Sequence, residues 1–171
     1  MSVEKHRLES SVVEPRVCVV VTSDRVLQGV YRDEVAPVVR RVLERYGLRL
    51  VSYRVVPNVT EKISEAVSAG LGECDAVVVT GGTGLGPRDL SVEAVKSMCT
   101  KDIPGFGELF RYLTYQRHGT AALATRAMAC AVGDRLVFVT PGSPDAVELA
   151  LDKLVAPELR HLVAELRGVR H

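Results

Sequence analysis

Asp75-Ala76-Val77-Val78-Val79-Thr80 runs without interruption into Gly81-Gly82-Thr83-Gly84-Leu85-Gly86-Pro87-Arg88-Asp89. Within the first six residues Ala76–Val79 is a short, continuous, valine-rich apolar run, which marks a strand buried on both faces. The next nine begin with four glycines in six residues and close on an arginine and an aspartate. A buried strand that turns through glycines toward a helix is one half of a βαβ unit, so this stretch argues for an α/β fold.

Outward from it the same grammar repeats. Arg16–Thr22 (RVCVVVT) is a second buried-strand run. A helix is predicted from about Asp33 to Tyr46, because Val35, Val38, Val39, Val42, Leu43 and Tyr46 follow helical spacing. Arg40, Arg41 and Arg45 then form its solvated face. Leu48–Val56 reads as a strand. After Pro57 a helix carries Ile63, Ala66, Val67, Gly70 and Leu71. Short helices are expected near 91–98 and 105–114, a small-residue helix near 119–131, and a fourth strand over Asp134–Val139. The chain is helical from Pro144, a residue suited to a first turn. Its apolar stripe of Val147, Ala150, Leu151, Leu154 and Val155 is interrupted at Pro157 and resumes with Leu159, Leu162, Val163 and Leu166. Residues 1–15 are polar and aperiodic and read as a flexible N-terminal arm, which leaves 16–171 as one α/β domain. The expected architecture has three layers, a mostly parallel sheet with helices on both faces. In such sheets ligands sit beyond the carboxyl ends of the strands, so loops 23–33, 80–89 and 140–145 should converge on a site.

Composition agrees. The 171 residues are 47% hydrophobic and 25% charged, with 22 basic against 21 acidic side chains and a net charge of +1. Nothing in that balance draws the chain to nucleic acid or an anionic membrane. The absence of Trp and the 5% aromatic content argue against base-stacking platforms. The longest apolar run, Ala127 to Val132, is far short of the ~18 residues that span a bilayer, and no leader-like apolar segment opens the sequence. A cytoplasmic protein is therefore expected. Cys18, Cys74, Cys99 and Cys130 form no C-x-x-C pair and read as packed thiols rather than metal ligands. Arg outnumbers Lys 17 to 5, and the chain has one Asn and two Gln, a low thermolabile content that hints at a hot habitat.

The glycine loop fails two familiar phosphate motifs. Pro87 stands where the dinucleotide fingerprint needs its third glycine, and Pro87-Arg88 stand where a P-loop needs Lys and Ser/Thr. Its physics survives both failures, since closely spaced glycines let backbone N–H groups turn toward an anion. Arg88 suits a phosphate or a surface ion pair. Asp89 suits a Mg²⁺ ion bound to nucleotide phosphates, or the cap of a helix near Ser91. Pro141-Gly142-Ser143-Pro144 and Ser23-Asp24-Arg25 are weak motifs taken singly, and the former reads as a plain helix start.

Taken together, TGGTG with PRD, SDR after the first strand, PGFGE at 104–108, Thr125-Arg126 and the closing PGSP resemble the MoaB/MogA family of molybdopterin-binding proteins. The same module forms the G domain of gephyrin and part of MoeA. The resemblance covers roughly residues 16–167. It implies MgATP-dependent adenylylation of molybdopterin, with release of adenylyl-molybdopterin and pyrophosphate, by an assembly that is a trimer or hexamer and that works beside other molybdenum cofactor enzymes. It places Thr80, Gly81, Gly82, Thr83, Gly84, Arg88, Pro104 and Gly105 along the nucleotide and its phosphates, and Ser23, Asp24 and Asp33 in the same pocket. Thr125, Arg126, Pro141, Gly142 and Ser143 fall on the pterin side, Arg126 meeting a phosphate or orienting the loop. Asp89 matches the functional aspartate after TGGTG and would hold Mg²⁺.

One position departs from the family. Asn58, in Val56-Pro57-Asn58-Val59-Thr60, stands where a second functional acid is usual. Asn keeps an acceptor oxygen but has no charge to offer Mg²⁺ and cannot act as a base. It could instead cap the following helix in a capping box with Glu61. Three outcomes stay open: Asp89 works with another acid such as Glu61, activity is reduced, or the chain is a non-catalytic molybdopterin carrier or assembly protein. His118, in Tyr115-Gln116-Arg117-His118, reads as an ordinary helix-connecting residue rather than a proton shuttle.

Overall fold

Strand β1 (Arg16–Thr22) sends alternate side chains to opposite sides: Val17, Val19 and Val21 enter one buried cluster, Cys18 and Val20 another. The same alternation recurs in β3 (Ala76–Thr80) and β6 (Arg135–Thr140), as a strand covered on both faces requires. The structure, a computed structural model, describes residues 13–169; residues 1–12 of the expected N-terminal arm lie outside it. Among the described residues six strands, which include β2 (Arg49–Val56), β4 (Lys101–Asp102) and β5 (Met128–Val132), form one sheet in the order β2-β1-β3-β6-β5-β4. Strands β2, β1, β3 and β6 are parallel, whereas β5 and β4 each run antiparallel to their neighbour.

Helix α1 (Asp24–Leu27) is a short turn inside the first loop, and α2 (Val35–Arg45) packs on the face of Val17 and Val19. The opposite face is covered by α3 (Thr60–Glu73) and α4 (Ser91–Lys96). On the α2 face lie α5 (Pro104–His118), α6 (Pro144–Ala150) and α7 (Ala156–Leu166). The connection from β1 to β2 therefore crosses one face and that from β2 to β3 the other. The winding reverses between β1 and β3, and the crevice at their carboxyl ends is the switch point where such sheets bind ligands.

The structure corrects three expectations. The small-residue helix near 119–131 is a 3-10 segment at Gly119–Ala124 followed by β5. Five small apolar residues cannot declare helix or strand by periodicity, and pairing with β6 through Gly133-Asp134 decides the matter. Loop 23–33 contains α1. The cysteines are not free thiols: Cys18–Cys74 and Cys99–Cys130 are disulfides, with Cα atoms 5.8 and 5.7 Å apart.

Pro157 does not end the C-terminal helix. The axis passes from α6 to α7 through a π turn at Leu151–Val155, which absorbs the missing N–H and the bulk of the proline ring. No helix among the described residues is long and apolar enough to cross a membrane.

Candidate functional site

Three threonines end the central strands: Thr22, Thr80 and Thr140, all buried. Thr22 Oγ1 donates to the Thr80 carbonyl at 3.2 Å, and the Gly81 amide donates to the Thr140 carbonyl at 2.9 Å. Gly81 has a φ of 94°, and a Cβ there would lie 2.6 Å from Thr22 Oγ1. Only glycine fits between the strands. A Cβ on Gly142 would meet the Gly81 Cα at 3.1 Å, so the 141–144 turn packs backbone to backbone on the glycine loop.

The loop is tied down by its own acid and by Arg126. Asp89 Oδ2 accepts the Gly86 amide at 2.8 Å, while the Asp89 amide donates to the Gly86 carbonyl at 3.0 Å. Asp89 therefore closes the turn and does not cap α4, which begins with no side-chain cap. Arg126 donates from Nε to the Gly84 carbonyl (3.0 Å), from Nη2 to the Asp89 carbonyl (3.1 Å), and to the Glu93 carboxylate. Its amide donates to the Thr83 carbonyl at 3.0 Å. The hydrogen bond from Arg126 holds the Glu93 carboxyl below its usual range. Of the two roles weighed for Arg126, the geometry serves loop orientation.

With the carbonyls engaged, the amides of Gly82, Thr83 and Gly84 find no acceptor among the described residues. Thr80 Oγ1 is likewise buried without a partner there. A run of successive amides with nothing to bond has the donor pattern of an anion-binding nest. Among the described residues Asp89 is hydrogen-bonded through Oδ2, and Oδ1 accepts no bond. No group of three or more His, Cys, Asp or Glu among the described residues could hold a metal ion. Mg²⁺ ordinarily takes one or two carboxylates plus phosphate oxygens, and Asp89 is the carboxylate that this cleft could offer it.

Beside the loop a second cluster forms. Asn58 donates to the Asp24 carboxylate twice, from its amide (3.0 Å) and from Nδ2 (3.3 Å), and Arg88 adds an ion pair at 3.4 Å. These donors, the Asn58 amide foremost, hold the Asp24 carboxyl below its usual range. Asn58 makes no capping box with Glu61, because Val59 is the N-cap of α3 and provides no side-chain bond. Ser23 Oγ caps α1 by accepting the Val26 amide. Asp33 accepts the Val35 and Ala36 amides and the Tyr53 hydroxyl (2.7 Å). Burial and that carboxylate push the Tyr53 phenol up.

A cleft of about 380 Å³ is lined by Gly82–Gly84, Asp89, Thr125, Pro141, Gly142 and Ser143. Loops 80–89 and 140–145 thus meet with Thr125. Ser23 and Asp33 line a neighbouring hollow that shares Gly142 as a wall. Pro104 lines a different cleft with Arg111 and Arg126, and Gly105 follows it at the start of α5. Ser143 Oγ caps α6 through the Ala146 amide, as a helix start should. The cleft at the glycine loop also holds residues that the sequence did not single out, Phe110, Thr114, Asp145 and Leu149, and His118, which it discounted. An acid in the first turn after Ser-Pro is what any helix start takes, so Asp145 carried no signal.

Residues 18–161 match the family described as a probable molybdopterin binding domain. The chain is 51% identical over 116 residues to molybdenum cofactor biosynthesis protein B of Staphylococcus aureus, covering 67% of this chain and 69% of that one. It is 36% identical over 170 residues to the protein of the same name from Bacillus subtilis, covering 98% of each. A crystal structure of a molybdenum cofactor biosynthesis protein B superposes with a TM-score of 0.84 at 37% identity, over 91% of this chain and 98% of that one.

Proposed function

This chain belongs to the family of probable molybdopterin binding domains, and from that premise we propose that it acts in molybdenum cofactor biosynthesis as a molybdopterin adenylyltransferase. The observation that carries the reading is the set of unpartnered amides at Gly82, Thr83 and Gly84, in one cleft with Asp89 and Ser143. A terminal phosphate oxygen of molybdopterin attacks the α-phosphorus of ATP. The new P–O bond forms as the bond to the bridging oxygen of pyrophosphate breaks, and pyrophosphate leaves with that electron pair. Such a transfer needs positioning and charge neutralisation more than covalent catalysis.

Each part of the site has a task in that step. The nest amides hold phosphate oxygens, and the buried Thr80 hydroxyl lies at the root of the same loop. Arg126 and Asp89 fix the loop so that its donors are in place before substrate arrives. Mg²⁺ bound with ATP would rest on Asp89 and phosphate oxygens and offset their charge. Asp24 supplies the second carboxylate that position 58 lacks, kept ionised by Asn58 and Arg88. Copies of the chain assemble, as a trimer or hexamer, through exposed apolar residues such as Leu109, Tyr112 and Tyr115 on α5.

A second reading, a carrier that binds molybdopterin without adenylylating it, is favoured by Asn58 alone. Mass spectrometry of purified protein incubated with molybdopterin and MgATP separates the two. The enzyme accumulates adenylyl-molybdopterin; the carrier returns molybdopterin unchanged.

A further inference from the structure

The cleft at the glycine loop contains, beside its unpartnered amide donors, an acceptor that the reaction above does not use. Asp145, in the first turn of α6, lines the cleft together with His118 from the last turn of α5. His118 Nε2 lies 3.0 Å from Asp145 Oδ2, and Arg117 Nη1 donates to Asp145 Oδ1 at 2.9 Å. Each carboxylate oxygen thus has one partner, and each keeps a further lone pair, because a carboxylate offers about four acceptor sites. The side chain is 56% exposed, so those lone pairs are accessible. Phe110, Ala146 and Leu149 in the same lining supply apolar surface for a flat ring.

A cleft with free N–H donors at one loop and an oriented carboxylate elsewhere on its wall selects a ligand with an anionic tail and a hydrogen-bond-donating edge. Two parallel N–H groups on one edge would satisfy both carboxylate oxygens at once. The 2-amino-4-oxopyrimidine edge shared by pterins and guanine presents that pair, an exocyclic amine beside a ring N–H. Adenine instead sets a ring nitrogen acceptor beside its amine, which a carboxylate repels. We propose that Asp145, held in place by Arg117 and His118, is the carboxylate that reads the 2-amino edge of the pterin in this cleft. His118 is a positioning residue in this scheme, acting through Asp145. The inference rests on the reading that this cleft receives molybdopterin, and it places the adenine of ATP away from Asp145.

The test compares two small probes that differ only at C2, hydroxymethylpterin phosphate and hydroxymethyllumazine phosphate, in which an oxo group replaces the amine. Titration of the full chain by fluorescence or calorimetry gives both affinities, with molybdopterin, GMP and AMP as further arms. Wild type is expected to prefer the pterin by about tenfold or more, the scale of hydrogen bonds to a charged group. Asp145→Asn should bring the preference within about threefold, since an amide complements the lumazine edge as well. His118→Gln, which retains a donor, should keep most of the discrimination. Equal affinity of wild type for both probes, with molybdopterin still bound, would overturn the role of Asp145 and leave the proposed function standing. Tighter, Asp145-dependent binding of GMP than of the pterin phosphate would overturn the pterin assignment in favour of guanine. Failure to bind molybdopterin at all would overturn this inference and the proposed function together.

Discussion

Asn58 donates both its backbone amide and its side-chain Nδ2 to the carboxylate of Asp24, at 3.0 and 3.3 Å. The second acid that the resemblance leads one to expect at position 58 is therefore not simply absent. Its place is taken by a donor that orients an acid on the neighbouring loop. An aspartate at position 58 would set two carboxylates against each other and raise the pKa of one of them. Asn58→Asp is accordingly expected to lower pyrophosphate release, and Asp24→Asn to lower it by about tenfold or more, a loss of roughly 1.4 kcal/mol in transition-state stabilisation. A gain of activity in Asn58→Asp would show that position 58 itself needs the charge.

Arg126 touches the Gly84 and Asp89 carbonyls and Glu93 with one guanidinium. Arg126→Lys cannot reproduce that fork. The expected outcome is a rise in KM for both substrates and easier proteolysis within 80–89, with a modest fall in Tm because the side chain is part-exposed. A full loss of folding would place Arg126 in the core framework instead.

Much of this was legible locally. The continuous apolar run Val17 to Val21, the run Ala76–Thr80 and the glycines after it all signal through neighbours in sequence, and the parallel core of the sheet followed from them. What was not legible depends on partners far along the chain. Asp24 and Asn58 are 34 residues apart, and the disulfide pairs are 56 and 31 apart. The stretch 128–132 turns on its pairing with β6, which no periodicity in five small residues reveals. His118 and Asp145 become partners only when α5 and α6 meet.

Asp75 lies at the opposite end of the sheet from the site, its side chain 6% exposed and ion-paired to Arg16, Arg135 and Arg167. Burial raises its pKa, but the Arg16 amide and the Arg167 and Arg16 side chains outweigh that and hold it below the usual range. A carboxylate depressed in the folded state contributes stability above its unfolded pKa of about 3.9 and loses it as pH falls through the folded value. Wild type should thus lose stability below about pH 4. Asp75→Asn should be less stable at neutral pH by about 3 kcal/mol, with a flatter acid limb in urea titrations at several pH values.

Both disulfides fasten the α3–α4 layer to the sheet, Cys18 to Cys74 at the end of α3 and Cys130 to Cys99 just beyond α4. Loops of this length correspond to about 4 kcal/mol each in the chain-entropy view. The Cys99→Ala/Cys130→Ala pair should lower stability by about that amount in urea titration. The 99–130 excursion carries Phe110, Thr114, His118 and Thr125 of the cleft wall, so ligand affinity should fall with it. Unchanged stability would mean that the packing around Cys130 suffices alone.

The proposed function makes the glycine loop closed by Asp89 the place where adenylyl transfer occurs. Pyrophosphate release from MgATP, with and without molybdopterin, in wild type and Asp89→Asn, tests it most directly. Pterin-dependent release is expected in wild type, with a loss of about 100-fold or more in Asp89→Asn and with Tm and molybdopterin binding little changed. Equal release in both proteins, or none in wild type that binds molybdopterin tightly, would contradict it.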